Sequence, residues 1–234
     1  MKQKLSYILI GVMALATLTS CINNDHTPSS INLSFAIGEL RANSLGDGYL
    51  MMDDSTTMGI SPSIQISDSI ANHRYYIEGY LCDDNHSFPG YDLTMDATVL
   101  LPVAIDTILE VNTNEQQTNV GIDKYNINTN GIFITGRYIN VFMYVPASGN
   151  VKHRISLIHN TLSPIINDKN DTIYLELCHN ANNDMAQQDY RSILSFDIQN
   201  YINQHPDHLV FGIWHYSNSV DAPKELKYYN VYNN

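Results

Sequence analysis

The stretch DTIYLELCHNANND, residues 171–184, contains the alternation that decides the fold. Neighbouring side chains of an extended chain point to opposite faces, so Ile173, Leu175 and Leu177 define one apolar face. The same alternation carries His179 to this face and leaves Cys178 on the other, outward face. A short alternating run followed by Asn and Asp residues is typical of a β-strand that leads into a turn.

The residues Cys178, His179 and Asn180 also provide the three residue types of a thiol-protease site. A catalytic base must lie within hydrogen-bond reach of its nucleophile, which adjacent strand residues do not normally provide. No electropositive surroundings that would activate the thiol are visible near Cys178. We therefore predict an inert thiol at this position.

A second segment repeats the pattern, because ISLIHN at 155–160 matches LELCHN at 175–180. If the two segments form an antiparallel hairpin, His159 and His179 lie at opposite ends of it, and His153 becomes the neighbour of His179. Two imidazoles without a third ligand are a weak zinc signal. We predict that each histidine ends a strand before a turn, and we predict no metal or cofactor.

Other clusters of polar residues have ordinary explanations. The segment 167–171, NDKND, is rich in oxygen ligands but lacks the glycine and the distal glutamate of a calcium loop. The pairs Asp53-Asp54 and Asp83-Asp84 follow predicted strands, where acidic turns are common. No G-x-S-x-G, H-E-x-x-H or P-loop motif occurs. The sequence therefore predicts no catalytic residue.

The N-terminus has the layout of a bacterial lipoprotein precursor. Lys2 and Lys4 precede an apolar run over residues 8–18, which is too short to span a bilayer. The ending LTSC, residues 18–21, matches a lipobox and predicts a signal peptide over 1–20. In the proteins that it resembles, the cysteine corresponding to Cys21 carries diacylglycerol and anchors the chain to the membrane.

The residues after Cys21 are polar and predict a flexible lipidated tether over 21–30. The expected location is the cell envelope, with lipid anchoring to the outer membrane. Whether the protein faces the periplasm or the cell surface stays open.

The charge of the chain excludes some partners. The net charge is −12, and loss of Lys2 and Lys4 with the signal peptide makes it more negative still. Such a chain is not expected to bind nucleic acid or anionic lipid surfaces. Two cysteines remain beside Cys21. Cys82 and Cys178 are far apart in the sequence and form no disulfide framework, so whether they pair is left open.

The body of the chain predicts an all-β fold, since short alternating runs are separated by turn residues. Polar residues at 112–117, NTNEQQ, indicate a domain boundary. Six or seven strands after it have the rhythm of an immunoglobulin-like β-sandwich, although the Cys-Trp-Cys pattern is missing and only the architecture is expected. Two segments, 186–190 and 198–204, are candidates for short helices.

Four segments resemble the NigD-like lipoproteins of Bacteroidetes, and the likeness extends over nearly the whole chain. They are YLMMDDSTTM (49–58), GRYINVFMYVPASGNVKHRISLIHN (136–160), LELCHN (175–180) and RSILSFDI (191–198). The resemblance implies an OB-like β-barrel over 31–112 and a β-sandwich over 118–234. It implies no particular reaction. Ser55 departs from the family pattern, because relatives carry a glycine in this hairpin.

A candidate partner face lies in HRYYIEGYLC, residues 73–82. If Tyr75, Ile77 and Leu81 face the core, Tyr76 and Tyr80 are exposed, where they would stack on sugar rings or fill a protein interface. The alternative is ordinary packing between neighbouring strands.

Two functions remain. The favoured one is a non-catalytic binding or assembly module for an envelope protein or glycan. The alternative is an envelope hydrolase with a site between the domains, built from carboxylates and one of three histidines, His153, His159 or His179.

Overall fold

Strands dominate the computed structural model, and they divide into two units, Met1–Pro102 and Val103–Asn234. The described residues are 33–67, 70–83, 87–123, 125–162, 172–185, 188–206, 209–216 and 224–231. The predicted signal peptide, Cys21, the tether and the acidic segment 167–171 lie outside them. Within these described ranges, no helix is long and apolar enough to cross a membrane.

The first unit is a closed five-stranded barrel. Its strands are β1 (Leu33–Ala42), β2 (Gly48–Met52), β3 (Thr57–Ser61), β4 (His73–Leu81) and β5 (Leu93–Pro102), in the spatial order β1-β2-β3-β5-β4. Strand β1 closes the barrel because it pairs with both β2 and β4. Alternate side chains point inward and form an apolar core of Ala36, Leu40, Leu50, Met58, Ile60, Ile77 and Met95. Five strands and closure are also features of an OB fold, and the assignment to that fold stays a prediction.

Strand β4 bends at a register shift between Glu78 and Gly79. A Cβ atom on residue 79 would overlap the carbonyl oxygen of Asp96 on β5. Glycine is therefore required where the two backbones approach each other.

A buried ion pair joins β4 to the hairpin between β2 and β3. Arg74 is 5 % exposed, and its Nη1 and Nη2 donate to Oδ1 and Oδ2 of Asp53, both at 2.6 Å. The sequence pattern of Asp53-Asp54 predicts an ordinary acidic turn. Only Asp54 fits that description, because its exposed carboxylate accepts from the Thr56 amide. Ser55 has a φ of 70°, the left-handed conformation that favours glycine.

The second unit is a sandwich of two sheets, which confirms the predicted all-β architecture of a barrel followed by a sandwich. One sheet has the order β14-β13-β11-β10-β7 and the other β6-β12-β9-β8. The elements are β6 (Ala104–Thr107), β7 (Leu109–Val111), α1 (Asn114–Val120), β8 (Asn126–Thr135), β9 (Tyr138–Ala147), β10 (Arg154–Asn160), β11 (Thr172–Asn180), β12 (Gln188–Asp197), α2 (Gln199–Gln204), β13 (Leu209–Tyr216) and β14 (Lys224–Val231).

The likeness to an immunoglobulin domain holds for the two-layer architecture only. Three pairs of strands are parallel, namely β7 with β10, β6 with β12 and β11 with β13. Immunoglobulin sandwiches are built from antiparallel sheets.

The division between the units lies about ten residues before the predicted boundary. Strands β6 and β7 pair with β12 and β10, so residues 104–111 belong to the sandwich. The polar segment 112–117 is not a linker but runs into helix α1. Thr113 and Gln116 form a capping box at its start, a motif that satisfies the first free amides of a helix.

The two helix candidates have different outcomes. The candidate over 198–204 is confirmed as α2. The candidate over 186–190 is wrong at its described residues, because β12 begins at Gln188. There the backbone hydrogen-bonds along β9 as a strand, with Gln188 opposite Ala147.

Replacing Asp53 by Asn should lower the free energy of unfolding by about 3 kcal/mol, since it leaves the buried Arg74 charge without its carboxylate. Urea unfolding followed by circular dichroism measures this loss. The matched change Asp54→Asn keeps an exposed acceptor and should cost less than about 0.5 kcal/mol. Equal losses in the two variants would show that the buried ion pair stabilises the fold no more than the exposed Asp54 carboxylate does.

Candidate functional site

An apolar patch covers part of the outer face of the barrel. Leu33, Phe35 and Ile37 on β1 lie opposite Tyr80, Glu78 and Tyr76 on β4, so these side chains share the face away from the core. Leu33 and Phe35 are 59 % and 57 % exposed, and Tyr80 is 37 % exposed. Val99 and Leu101, opposite Glu78 and Tyr76 on β5, are half-buried. We call Leu33, Phe35, Tyr80, Val99 and Leu101 the outer barrel patch.

The prediction that Tyr76 and Tyr80 are an exposed pair is wrong for Tyr76. Tyr76 is only 5 % exposed, because the ring of Phe35 stacks on it with centroids 5.9 Å apart. Its hydroxyl donates to Oε2 of Glu78 at 3.1 Å. The period-two pattern gave the correct face but gave no information on the neighbour from β1. A partner face would therefore be centred on Phe35 and Leu33 rather than on Tyr76.

A buried chain of hydrogen bonds connects two histidines to a carboxylate. His153 Nδ1 lies 2.9 Å from His179 Nε2, and His153 Nε2 lies 2.9 Å from Asp184 Oδ2. The two histidine residues are 6 % and 1 % exposed. The antiparallel register places Ile155 opposite His179, which confirms that His153 rather than His159 is its neighbour.

Asp184 completes this chain and was not singled out from the sequence, since it lies beyond β11 in a polar turn. The hydroxyl and the backbone amide of Ser148 donate to its two oxygens, and His153 lies beside it. Together they lower the pKa of Asp184 from 3.8 to about 2. The carboxylate is therefore ionised at neutral pH.

The hydrogen bonds that join His179, His153 and Asp184 can be completed in two proton arrangements. A neutral His153 donates from Nε2 to Asp184, so its Nδ1 accepts from His179 Nε2. A protonated His153 donates from both nitrogens, and His179 Nε2 then accepts. The rings of His179 and Tyr125 form a T-shaped contact, with centroids 6.4 Å apart. Because both rings are buried, we interpret the chain as a structural element of the sandwich.

Both remaining cysteines are free thiols. Burial raises the pKa of the Cys82 thiol, and the nearby Asp96 charge adds to this effect. The prediction that Cys178 points outward is wrong, because it is 4 % exposed and packs with Val111, Val120 and Ile158. The unpredicted helix α1 provides Val120 and so covers this face. These apolar neighbours agree with an inert thiol at Cys178.

A groove of about 390 Å³ opens in the sandwich near the end of β10, the start of β11 and helix α2. The residues lining it are His159, Asn160, Thr161, Thr172, Ile173, Tyr174, Glu176, Tyr201, Gln204 and His205. The prediction for His159 was only that it ends its strand. In the structure, His159 also lines this groove.

Glu110 on β7 orients two of the lining side chains. His159 Nδ1 lies 3.0 and 3.1 Å from the two oxygens of Glu110, and the Tyr201 hydroxyl donates to Oε1 at 3.2 Å. Burial, followed by the Glu110 charge, raises the pKa of Tyr201 to about 12. Tyr201 therefore remains protonated at neutral pH. Asn160 Nδ2 donates to Glu176 at 3.4 Å, the longest of these contacts.

Asp184 should stabilise the fold above about pH 4 and lose this effect as the pH falls from 3.8 towards 2, because its folded-state pKa is the lower one. We expect the gap in unfolding free energy between wild type and Asp184→Asn to be full at neutral pH and to narrow across this range. Urea titrations at several pH values measure it. Asp189→Asn, at an exposed carboxylate, should show no such gap; a constant Asp184→Asn gap down to pH 2 would contradict the assignment.

Comparison with known proteins places the sandwich in a family. The model of the NigD-like C-terminal beta sandwich domain matches residues 107–226, more than half of the chain. No curated protein matches. Among the described residues, no group of three or more His, Cys, Asp or Glu side chains is placed to hold a metal ion.

Several solved structures share the fold. A protein of unknown function (DUF1344) from Bacteroides vulgatus aligns with a TM-score of 0.67 and 16 % identity, covering 86 % of this chain and 92 % of that one. A NigD-like immunity protein from Bacteroides caccae gives 0.58 and 17 %, covering 86 % and 94 %. A lipoprotein candidate from Bacteroides fragilis gives 0.55 and 9 %, covering 85 % and 98 %.

At these identities the solved structures show the fold alone, whereas the family model matches the sequence itself. The chain belongs to the NigD-like family.

Proposed function

We propose that this protein is a lipid-anchored component of the cell envelope that works by binding a partner protein and catalyses no reaction. The lipobox at Cys21 supports the anchor, as does the lipoprotein candidate of the same fold. The description of another relative as an immunity protein favours a protein over a glycan as the partner.

The observation that carries the proposal is the outer barrel patch. Two large apolar side chains, Leu33 and Phe35, are more than half exposed beside Tyr80. Exposed apolar patches with a polar rim mark interaction sites, and here Glu39 and Arg41 form an ion pair at 3.1 Å further along β1. Aromatic side chains at the centre of such a patch are the usual hot spots of protein interfaces.

The position of the patch also limits where the partner can be. Leu33 is twelve positions after Cys21, and a fully extended chain of that length reaches about 40 Å. If Cys21 is lipidated, the start of β1 stays within this distance of the membrane. A partner that binds the patch would then be an envelope protein close to the membrane surface.

A hydrolase is the second candidate function, and the Glu110–His159 pair is the observation in its favour. A carboxylate that holds one nitrogen of an imidazole leaves the other nitrogen to act as a base. The hydroxyl of Thr161 in the same groove donates to the carbonyl oxygen of Val111 at 3.1 Å. Its proton is therefore directed to the backbone instead of to an imidazole, which makes Thr161 a poor nucleophile and favours the binding function.

Replacing Cys21 by Ser should abolish incorporation of an alkyne-labelled fatty acid and move the protein from the membrane fraction to the soluble fraction. The thioether-linked diacylglycerol needs the Cys21 sulfur, and one serine hydroxyl cannot replace it. Gel fluorescence and membrane pelleting measure the two effects. The control Cys82→Ser should keep the lipid label, whereas a labelled Cys21→Ser protein would contradict lipidation at this residue.

A photo-crosslinking amino acid at position 35 should give a discrete adduct with one envelope protein in the native membrane, because Phe35 is the most exposed aromatic side chain of the patch. The same amino acid at Leu45, which is 80 % exposed in the turn between β1 and β2 and is not one of the patch residues, is the matched control. Mass spectrometry identifies the adduct.

The identified protein, once purified, should bind the wild-type chain, and Phe35→Ala should weaken this binding at least about tenfold, as expected for an interface hot spot. Adducts with phospholipid alone, equal adducts from position 45, or unchanged affinity of Phe35→Ala would each reject the patch as a protein-binding face.

A further inference from the structure

Two carboxylates lie among the aromatic side chains of the outer barrel patch. Glu78 on β4 is opposite Phe35 on β1. In the next row of the same face, Asp96 on β5 is opposite Tyr80 on β4. Opposed residues on neighbouring antiparallel strands point to the same side of the sheet, with their Cβ atoms about 5 Å apart. Each of the two exposed aromatic rings of the patch therefore has a carboxylate as its direct neighbour.

Both pairs of ring and carboxylate are open to solvent. Phe35 is more than half exposed although its ring stacks on Tyr76. Tyr80 and Asp96 are exposed, and Glu78 is half-buried. A ligand can therefore reach a ring and the carboxylate beside it from the same side of the sheet.

The polar groups between the rings mainly accept hydrogen bonds. The hydroxyl of Thr98, at the bulge of β5, donates to the carbonyl oxygen of Glu78 at 3.1 Å and is therefore directed to the backbone. The Tyr76 hydroxyl donates to Glu78 Oε2 at 3.1 Å. A carboxylate has about four acceptor positions, so it also accepts from a ligand. The Tyr80 hydroxyl serves as donor or acceptor. This face is therefore suited to a ligand with several N–H donors.

The barrel has few positive charges of its own. Residues 33–102 contain ten Asp and Glu residues and two arginines, a formal charge of −8 (2 − 10). Arg41 is paired with Glu39, and Arg74 is buried against Asp53. The residues that the register places beside the two carboxylates of the patch include no Lys or Arg. A negative field of this kind attracts a positively charged partner.

A guanidinium group matches this arrangement better than an ammonium group. It is planar, stacks on an aromatic ring and donates hydrogen bonds to a carboxylate beside that ring. The two ring–carboxylate pairs are two residues apart along β4, at Glu78 and Tyr80, which is about 6.6 Å in a strand. Two arginines at positions i and i+2 of an extended segment have the same spacing and lie on one side of it.

We propose that the outer barrel patch binds its partner protein through arginine side chains that stack on Phe35 and Tyr80 and pair with Glu78 and Asp96. This inference rests on the proposed binding function and adds the chemistry of the partner. The partner presents a positively charged surface with closely spaced arginines.

The test uses the full-length lipoprotein in detergent and the rhodamine-labelled peptide Gly-Arg-Leu-Arg-Gly-amide, with binding followed by fluorescence polarisation. A twin with citrulline in place of both arginines has nearly the same shape without the charge and should not bind. A second twin with lysines keeps the charge but not the planar group, and it should bind at least about threefold more weakly.

Three variants of the patch test the contacts. Glu78→Gln and Asp96→Asn should each weaken binding of the arginine peptide about threefold, and the double variant about tenfold, as expected for partly exposed ion pairs. Tyr80→Leu keeps an apolar side chain but removes the ring, and it should cost about threefold. Asp96 is exposed, so its replacement is not expected to disturb folding. The matched control Asp54→Asn removes an exposed charge from the β2–β3 hairpin and should change binding less than about 1.5-fold.

Three results would overturn the inference: no saturable binding of the arginine peptide, equal binding of either twin, or equal effects of the patch variants and Asp54→Asn. The protein crosslinked at position 35 separates this inference from the binding function on which it rests. If Phe35→Ala weakens binding of that protein and the Glu78→Gln/Asp96→Asn double variant does not, the patch is a protein-binding face that does not use arginine. Weakening by both supports the inference.

Discussion

The sandwich depends on strand β11, whose apolar face is buried and whose other face is covered at Cys178. It lies between β10 and β13 in the five-stranded sheet, and β13 pairs with its residues 172–176 whereas β10 pairs with its residues 176–180. One face carries Leu175, Leu177 and His179, all with 1 % exposure or less. At Cys178 the other face is covered by the apolar end of α1. Alternation on a strand of this kind fixes which side chains must find partners in the interior.

His179 is the polar residue that this constraint forces inside. Burying an imidazole without partners would cost several kcal/mol, on the order of the penalty for other buried polar groups. His153, Asp184 and Ser148 remove that penalty by continuing the hydrogen bonds to a backbone amide outside the strands. His159 occupies the equivalent place in the repeated pattern but ends its strand half-exposed, so Glu110 alone orients it. The same short motif therefore yields a structural histidine in one strand and a groove-lining histidine in the other.

The parts that the sequence predicted are those governed by local pattern. The sandwich and the pairing of His153 with His179 follow from period-two alternation and turn residues, whereas the barrel was expected only from the family resemblance. Helix α1 was missed because six polar residues and a single buried valine form no apolar helical stripe, although the capping box was present. The boundary was misplaced because β6 and β7 are short and pair with strands far along the chain. Tyr76 was misassigned because its cover, Phe35, comes from another strand, and Asp184 joins the histidines only through the folded turn.

The closed barrel has a consequence for how such proteins diverge. A sheet with open edges can recruit another chain by adding it as a further strand, and that mode of recognition uses backbone atoms that mutation does not alter. Closure of β1 onto β4 removes this possibility from the barrel. Recognition at the barrel must then depend on outward-facing side chains, which can be substituted without disturbing the hydrogen bonds between strands. Solved structures share this architecture at 9 to 17 % identity. Such divergence fits a scaffold whose binding specificity changes by substitution of single outward side chains.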